Sequence, residues 1–108
     1  MNVFDNKQLL VLAINSYDFY TERQKKLLSL LVHMSIDGVA TVSTTYLKNY
    51  VALSRAGIYL NLKKFTTEGM LSKIRKPADN QDSYCLNEEK LEHIVQLYHN
   101  KQSAHSIK

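Results

Sequence analysis

A mainly α domain with a small β-hairpin, an α+β arrangement with additional helices at both ends, is the fold class that this 108-residue sequence predicts. Three observations point to it. Two short helical patterns, each opened by a serine, lie almost back to back between Ser43 and Gly69. A strand, a turn rich in Pro, Asp and Asn, and a returning strand follow directly, from Leu71 to Leu86. Longer apolar-periodic segments flank these elements, one behind Thr21 and one behind Asn87.

Taken in order, Asp5-Asn6-Lys7-Gln8 leads into the apolar run Leu9 to Ile14. A short helix entered through a polar cap is the simplest assignment. A buried strand is the alternative, because so short an apolar run has no decisive period. The leucine and alanine content favours the helix. Asn15 to Tyr20 breaks the pattern as an aromatic linker expected to pack against the body. Thr21-Glu22-Arg23-Gln24 matches a capping box, in which the Thr21 hydroxyl serves one free amide and Gln24 reaches back to another. Behind it Leu27, Leu28, Leu30, Leu31, Val32 and Met34 cover much of the helix circumference, so this helix is expected to be buried on more than one side. Asp37-Gly38 ends it, and Val39 to Val42 is a short strand able to join the hairpin as a third member.

Ser43 then caps a short helix reaching Val51, and only Ala52 and Leu53 separate it from the next. Ser54 is a good cap for that second helix, since its oxygen can accept from an otherwise unpaired first-turn amide. Ile58, Leu62 and Phe65 recur at helical spacing, and Gly69 stands where a helix end can use a left-handed glycine. Two short helices joined by a tight turn make a helix-turn-helix over residues 43–69. Leu71 to Lys76 reads as a strand, Pro77 to Asp82 as a turn, and Ser83 to Leu86 as the returning strand. Asn87 caps a last helix whose Glu88 and Glu89 suit the positive end of a helix dipole. Its stripe of Leu91, Ile94, Val95 and Tyr98 can be covered by the domain or equally by a partner subunit. Residues 1–100 therefore form one domain, with 1–20 as an extension, 71–87 as the hairpin region and 88–100 as the last helix; 101–108 has no pattern and is expected to be a flexible tail.

From Thr21 to Asn87 the order Ser-x-x-x-Ile-x-x-x-Leu-x-x-Phe-x-x-x-Gly-x-Leu, followed by a basic strand, resembles the winged helix-turn-helix family of prokaryotic DNA-binding proteins. The resemblance implies that the hairpin is a wing. It implies sequence-specific binding of double-stranded DNA by a bacterial, phage or plasmid-borne transcription regulator. It also implies a homodimer, paired through N-terminal residues 4–20 and the helix over 88–99. A replication or plasmid-maintenance factor would share the same fold. An adaptor that binds only proteins is the alternative from another class, with Leu60 and the acidic hairpin tip as its interface.

With Ile58, Leu62, Phe65 and Gly69 inward, a turn of ~100° per residue points Ala56, Leu60, Lys63, Lys64 and Thr67 outward, with Tyr59 on a flank. In helix-turn-helix proteins the early residues of this helix meet base edges in the major groove. Arg55 is the candidate base reader, because its planar fork donates twice to guanine; Asn61 would read adenine only if the helix were rotated. Lys63 and Lys64 suit phosphates, where charge counts for more than geometry. Tyr59 can donate to a phosphate, and Ala56 and Leu60 can touch thymine methyls, although leucine is awkward in a groove. Ser43 and Thr44, at the start of the first short helix, complete the candidates together with Lys73, Arg75 and Lys76 on the first hairpin strand. The tip carries Asp79 and Asp82, which phosphates repel. The basic wing tip usual in the family is missing, so the strand and not the tip is expected to approach DNA.

Net charge is +4 with pI near 9.2, compatible with an anionic partner without being diagnostic of one. No apolar run approaches the ~20 residues that span a bilayer, and the start has no leader pattern, so the expected location is the cytoplasm, at the nucleoid when DNA is bound. A lone cysteine, Cys85, excludes an internal disulfide and suits a reducing compartment; between Tyr84 and Leu86 it is expected to be buried, and His33 is expected to be a packed or capping histidine and not an acid or base. Glu89 and His93 stand four apart on one helix, but two ligands do not make a metal site. Glycine-rich phosphate loop, nucleophile elbow and paired carboxylates are all lacking. Neither catalysis nor a cofactor or metal is expected.

Overall fold

Side-chain caps open every helix in the computed structural model, which describes residues 2–74 and 82–106. Asn6 accepts the Leu9 amide at the start of α1 (Lys7–Asn15). Thr21 and Gln24 exchange reciprocal bonds at the start of α2 (Glu22–Met34). Ser43 and Ser54 accept the Tyr46 and Gly57 amides to open α3 (Thr44–Lys48) and α4 (Arg55–Thr67). Asn87 accepts the Lys90 amide at the head of α5 (Glu88–Ser106). The run after Asn6 is thus helix and not strand. A single 3-10 turn, Val3–Asp5, precedes it and was not anticipated.

Three antiparallel strands, β1 (Val39–Val42), β2 (Leu71–Ile74) and β3 (Asp82–Leu86), form one sheet in the order β1-β3-β2. The hairpin is β2-β3, and β1 joins it as the expected third strand, with Ala40 and Lys73 both opposite Tyr84. Core side chains converge on α2: Leu27, Leu28 and Leu31 are wholly buried together with Leu10 and Ile14 of α1, Ile58 and Phe65 of α4, and Leu91 of α5.

Three boundaries differ from the sequence expectation, and a fourth falls outside the described residues. The helix before the sheet stops at Met34, and Ser35 turns the chain into a tight Ile36–Val39 bridge with Asp37 and Gly38 at positive φ (52° and 80°). α3 stops at Lys48 and not at Val51, because the amides of Asn49 and Tyr50 step back to 3-10 bonds and swing Val51 into the core. The helix-turn-helix connection is correspondingly longer than Ala52-Leu53. The first hairpin strand is described only to Ile74; Arg75, Lys76 and the tip with Asp79 lie outside the described residues. The helix over 88–100 runs on to Ser106, so most of the expected tail is helical. Lys101 supplies a reason: its ammonium donates to the Ser16 carbonyl at 2.7 Å and to Asp18 at 2.8 Å, tying the helix to the linker. That ammonium holds the Asp18 carboxyl below the usual carboxylate range.

The linker itself is split. Tyr17 and Tyr20 are half-buried, but Phe19 is 79% exposed, contrary to the expectation of a packed segment. At the end of α4, Gly69 adopts φ +86°, its amide returning to Thr66 and that of Met70 to Phe65, the paired bonds of a Schellman turn. Asn87 then donates its side-chain amide to the Gly69 carbonyl, joining the end of α4 to the head of α5.

Loss of a cap should be measurable. Ser54→Ala is expected to cost about 1 kcal/mol, since one first-turn amide of α4 loses its acceptor. The check is a lower urea midpoint at unchanged slope.

Candidate nucleic-acid interface

α4 is pinned by its apolar row. Ile58 and Phe65 are wholly buried and Leu62 nearly so, which sets the rotation of the helix about its axis. Asn61 confirms that rotation from a polar position: it donates to the Gly57 carbonyl at 2.8 Å and accepts from Gln24 of α2 at 3.2 Å. An asparagine held in this way is not free to read a base. On the other side Arg55, Ala56, Tyr59, Leu60, Lys63, Lys64 and Thr67 are all exposed. Ser43 and Thr44 are half-buried, and the Ser43 hydroxyl oxygen accepts the Tyr46 amide as its capping bond.

Two contacts modify the candidate face. The Arg55 guanidinium donates through Nη2 to the Thr45 hydroxyl at 3.2 Å, so the fork is oriented from the head of α3. Lys73 of β2 lies 3.6 Å from the Asp82 carboxylate on β3, which draws its charge toward the hairpin. Between α4 and the hairpin runs a groove of about 330 Å3, walled by Tyr59, Leu60, Lys63, Thr66, Lys73 and Tyr84. Burial first, and the nearby Asp82 second, push the Tyr84 phenol up to about 12, so it stays a neutral donor at any ordinary pH.

Sequence reasoning passed over Tyr46 and Tyr50. Their rings lie 4.8 Å apart on the exposed side of the helix-turn-helix. The signal was present as an i, i+4 tyrosine pair beginning in the short helix. The Tyr50 phenol, bonded to its neighbour, raises the Tyr46 hydroxyl above the usual phenol range.

Two burial expectations are corrected. Cys85 is exposed, because in β3 Tyr84 and Leu86 turn into the core and the residue between them faces away, opposite Ser72 and Val39. His33 is exposed in the last turn of α2, which overturns the packed alternative alone, since α2 buries the neighbouring Leu31 and Val32 and leaves this position outside. Glu89 and His93 are exposed, and among the described residues no group of three His, Cys, Asp or Glu side chains is placed to hold a metal ion. No helix among the described residues is long and apolar enough to cross a membrane.

No protein-family model matches the chain, and no curated protein sequence matches it. Solved structures do match. Reduced HlyU from Vibrio cholerae N16961 superposes with a TM-score of 0.52 at 18% identity, over 87% of this chain and 86% of that one. TubR from Bacillus thuringiensis serovar israelensis pBtoxis, bound to 24 bp of tubC, gives 0.52 at 18% identity over 89% and 95%. The antimony-specific transcriptional repressor AntR gives 0.50 at 15% identity over 94% and 82%. At such identities the likeness speaks for architecture, and the architecture is that of a winged helix-turn-helix.

Proposed function

We propose that this winged helix-turn-helix chain binds double-stranded DNA as a transcription regulator, with α4 in the major groove and the β2 strand along the backbone. The observation that carries this is the division of α4 into a buried apolar row and an exposed row bearing Arg55, Lys63, Lys64 and Thr67. Arg55, steadied by Thr45, would read a guanine. Lys63, Lys64 and Lys73 would meet phosphates, with Tyr59 donating beside them. Arg75 and Lys76 belong to the same proposal by their place in the sequence. Ser43 and Thr44 would approach the backbone at the head of α3, and Ala56 and Leu60 would face thymine methyls. The acting unit would be a cytoplasmic homodimer paired through residues 4–20 and 88–99, where Leu12 of α1 is 53% exposed and offers apolar surface to a second copy. Two copies would place their α4 helices ~34 Å apart, on an inverted repeat. The role is one of binding and not of catalysis.

A second role, plasmid maintenance, draws support from a neighbour described as a type III plasmid segregation TubR, at TM-score 0.52 and 16% identity. Selection of bound sequences from a random duplex pool separates the two, a regulator favouring one inverted repeat and a maintenance factor a repeated array.

Salt titration on random duplex tests DNA binding itself. Each phosphate neutralised contributes a slope of about −0.9 in log affinity against log salt, so three or four cations per chain should give roughly −3 for each chain and about −6 for the dimer. Absence of binding even at low salt would overturn the proposal in favour of a protein adaptor. Asp82→Asn should release Lys73 from its ion pair, tightening binding to all sequences and steepening the slope by about 1.

A further inference from the structure

Two side-chain amides are strung between α2 and α4. The Thr21 backbone amide donates to Gln24 Oε1 at 2.9 Å, Gln24 Nε2 donates to Asn61 Oδ1 at 3.2 Å, and Asn61 Nδ2 donates to the Gly57 carbonyl at 2.8 Å. The string has a direction. A backbone N–H opens it and a backbone carbonyl closes it, so only one orientation of the two amides gives every donor an acceptor. Turning Gln24 over would set its NH2 group against the Thr21 N–H, and turning Asn61 over would set its oxygen against the Gly57 carbonyl. Gln24 is buried and Asn61 half-buried, which makes a mismatched pair there costly.

The string ends in the first turn of α4, beside Arg55. Gly57 accepts Asn61 at its carbonyl and gives its amide to Ser54 Oγ. Packing there is close: a Cβ on Gly57 would stand 3.3 Å from that oxygen and 3.4 Å from Leu53 Cδ2. Arg55 precedes Gly57 in the same turn, with its guanidinium on Thr45 of α3. Gln24 and Asn61 belong neither to the segments proposed to pair two copies, 4–20 and 88–99, nor to the residues proposed to touch duplex.

Apolar and polar contacts hold α4 to different tolerances. The buried row of Ile58, Leu62 and Phe65 decides which side of the helix faces inward, but apolar contact is non-directional and permits rocking. Hydrogen bonds weaken steeply as they bend, so the string resists that rocking. A forked contact to a base edge must be held to ~10–20°, whereas a phosphate contact needs mainly charge. We infer that Gln24 is a positioning residue for sequence recognition: through Asn61 and Gly57 it fixes the angle at which Arg55 meets a base. This role rests on the proposed DNA binding; the string itself does not.

Two changes break the string without touching the outward side of α4. Gln24→Glu, measured at about pH 8 so that the carboxyl is ionised, keeps an acceptor for Thr21 and offers Asn61 no donor. Gln24→Met with Asn61→Leu replaces both amides by apolar groups of similar size, an exchange that can leave stability nearly unchanged. Each should lower the ratio of selected to random duplex affinity by roughly tenfold, the scale of one lost forked base contact. Random-duplex affinity and its salt slope should stay as they are. In an Arg55→Ala background the same changes should lower the ratio by less than about twofold further, because Gln24 acts through Arg55. Without DNA, hydrogen exchange from Ile58 to Asn61 should quicken by roughly fivefold or more in both variants, while the urea midpoint of the apolar pair stays near that of the wild type. A ratio preserved in either variant, or a tenfold loss that persists without Arg55, would overturn the positioning role; should the apolar pair not fold, Gln24→Glu alone decides. A wild type that binds no duplex, with faster exchange in the variants, would refute the DNA role and leave the string as a lock on α4. Duplex selection that survives both variants, with exchange also unchanged, would refute the lock alone.

Discussion

Replacing Phe65 with alanine is expected to cost about 3–5 kcal/mol of folding stability, the range for deleting a large aromatic side chain from a packed core. Phe65 is wholly buried, and it is the residue through which α4 meets the Tyr20 ring of the linker. Phe65 belongs to the buried cluster that also holds Leu27, Leu28 and Ile58. Domains of this kind hold roughly 5–15 kcal/mol in all, so the loss would move a large part of the population toward unfolding near physiological temperature. Urea unfolding followed by far-ultraviolet circular dichroism measures it. The comparison is Leu60→Ala on the opposite face, 69% exposed, where a change within about 0.5 kcal/mol is expected. Similar costs for the two variants would mean that α4 is rotated from the orientation described.

The second large effect concerns recognition. Arg55→Ala should cost about 1–3 kcal/mol on the selected duplex and relax sequence choice at one position, while Lys63→Ala should weaken every sequence alike. The difference lies in the donors. Arg55 presents a rigid fork steadied by Thr45, whereas Lys63 presents a point charge on a flexible stem at the edge of the Tyr59–Tyr84 groove. Competition between selected and random duplexes at fixed salt reads both variants. Equal losses on the two duplexes for Arg55→Ala would refute its assignment to a base.

Local chemistry was legible wherever it is decided within a few residues. Thr21, Ser43, Ser54 and Asn87 each cap the helix that follows them, as a short oxygen-bearing side chain before a periodic run implies. Gly69 takes the left-handed conformation because the turn closing α4 needs positive φ. The inward row of α4 follows from the 3.6-residue period alone, and so does the exposure of Arg55, Lys63 and Lys64 opposite it. The sequence alone ends the C-terminal helix at residue 100, because the polar stretch after it lacks a stripe; what extends it is Lys101 reaching more than eighty residues back to Asp18.

By itself, then, the order of residues determined the capped helices, the hairpin and which side of α4 is oily, since these depend on neighbours three or four positions away. Only the tertiary structure decided that Cys85 and His33 face outward, that Asn61 is tied to Gln24, and that Asp82 holds Lys73. It alone stacked Phe19, Tyr17 and Tyr20 against Phe65. Each of these depends on which element packs against which across long stretches of chain, and a side-chain period records that a face is covered without recording what covers it.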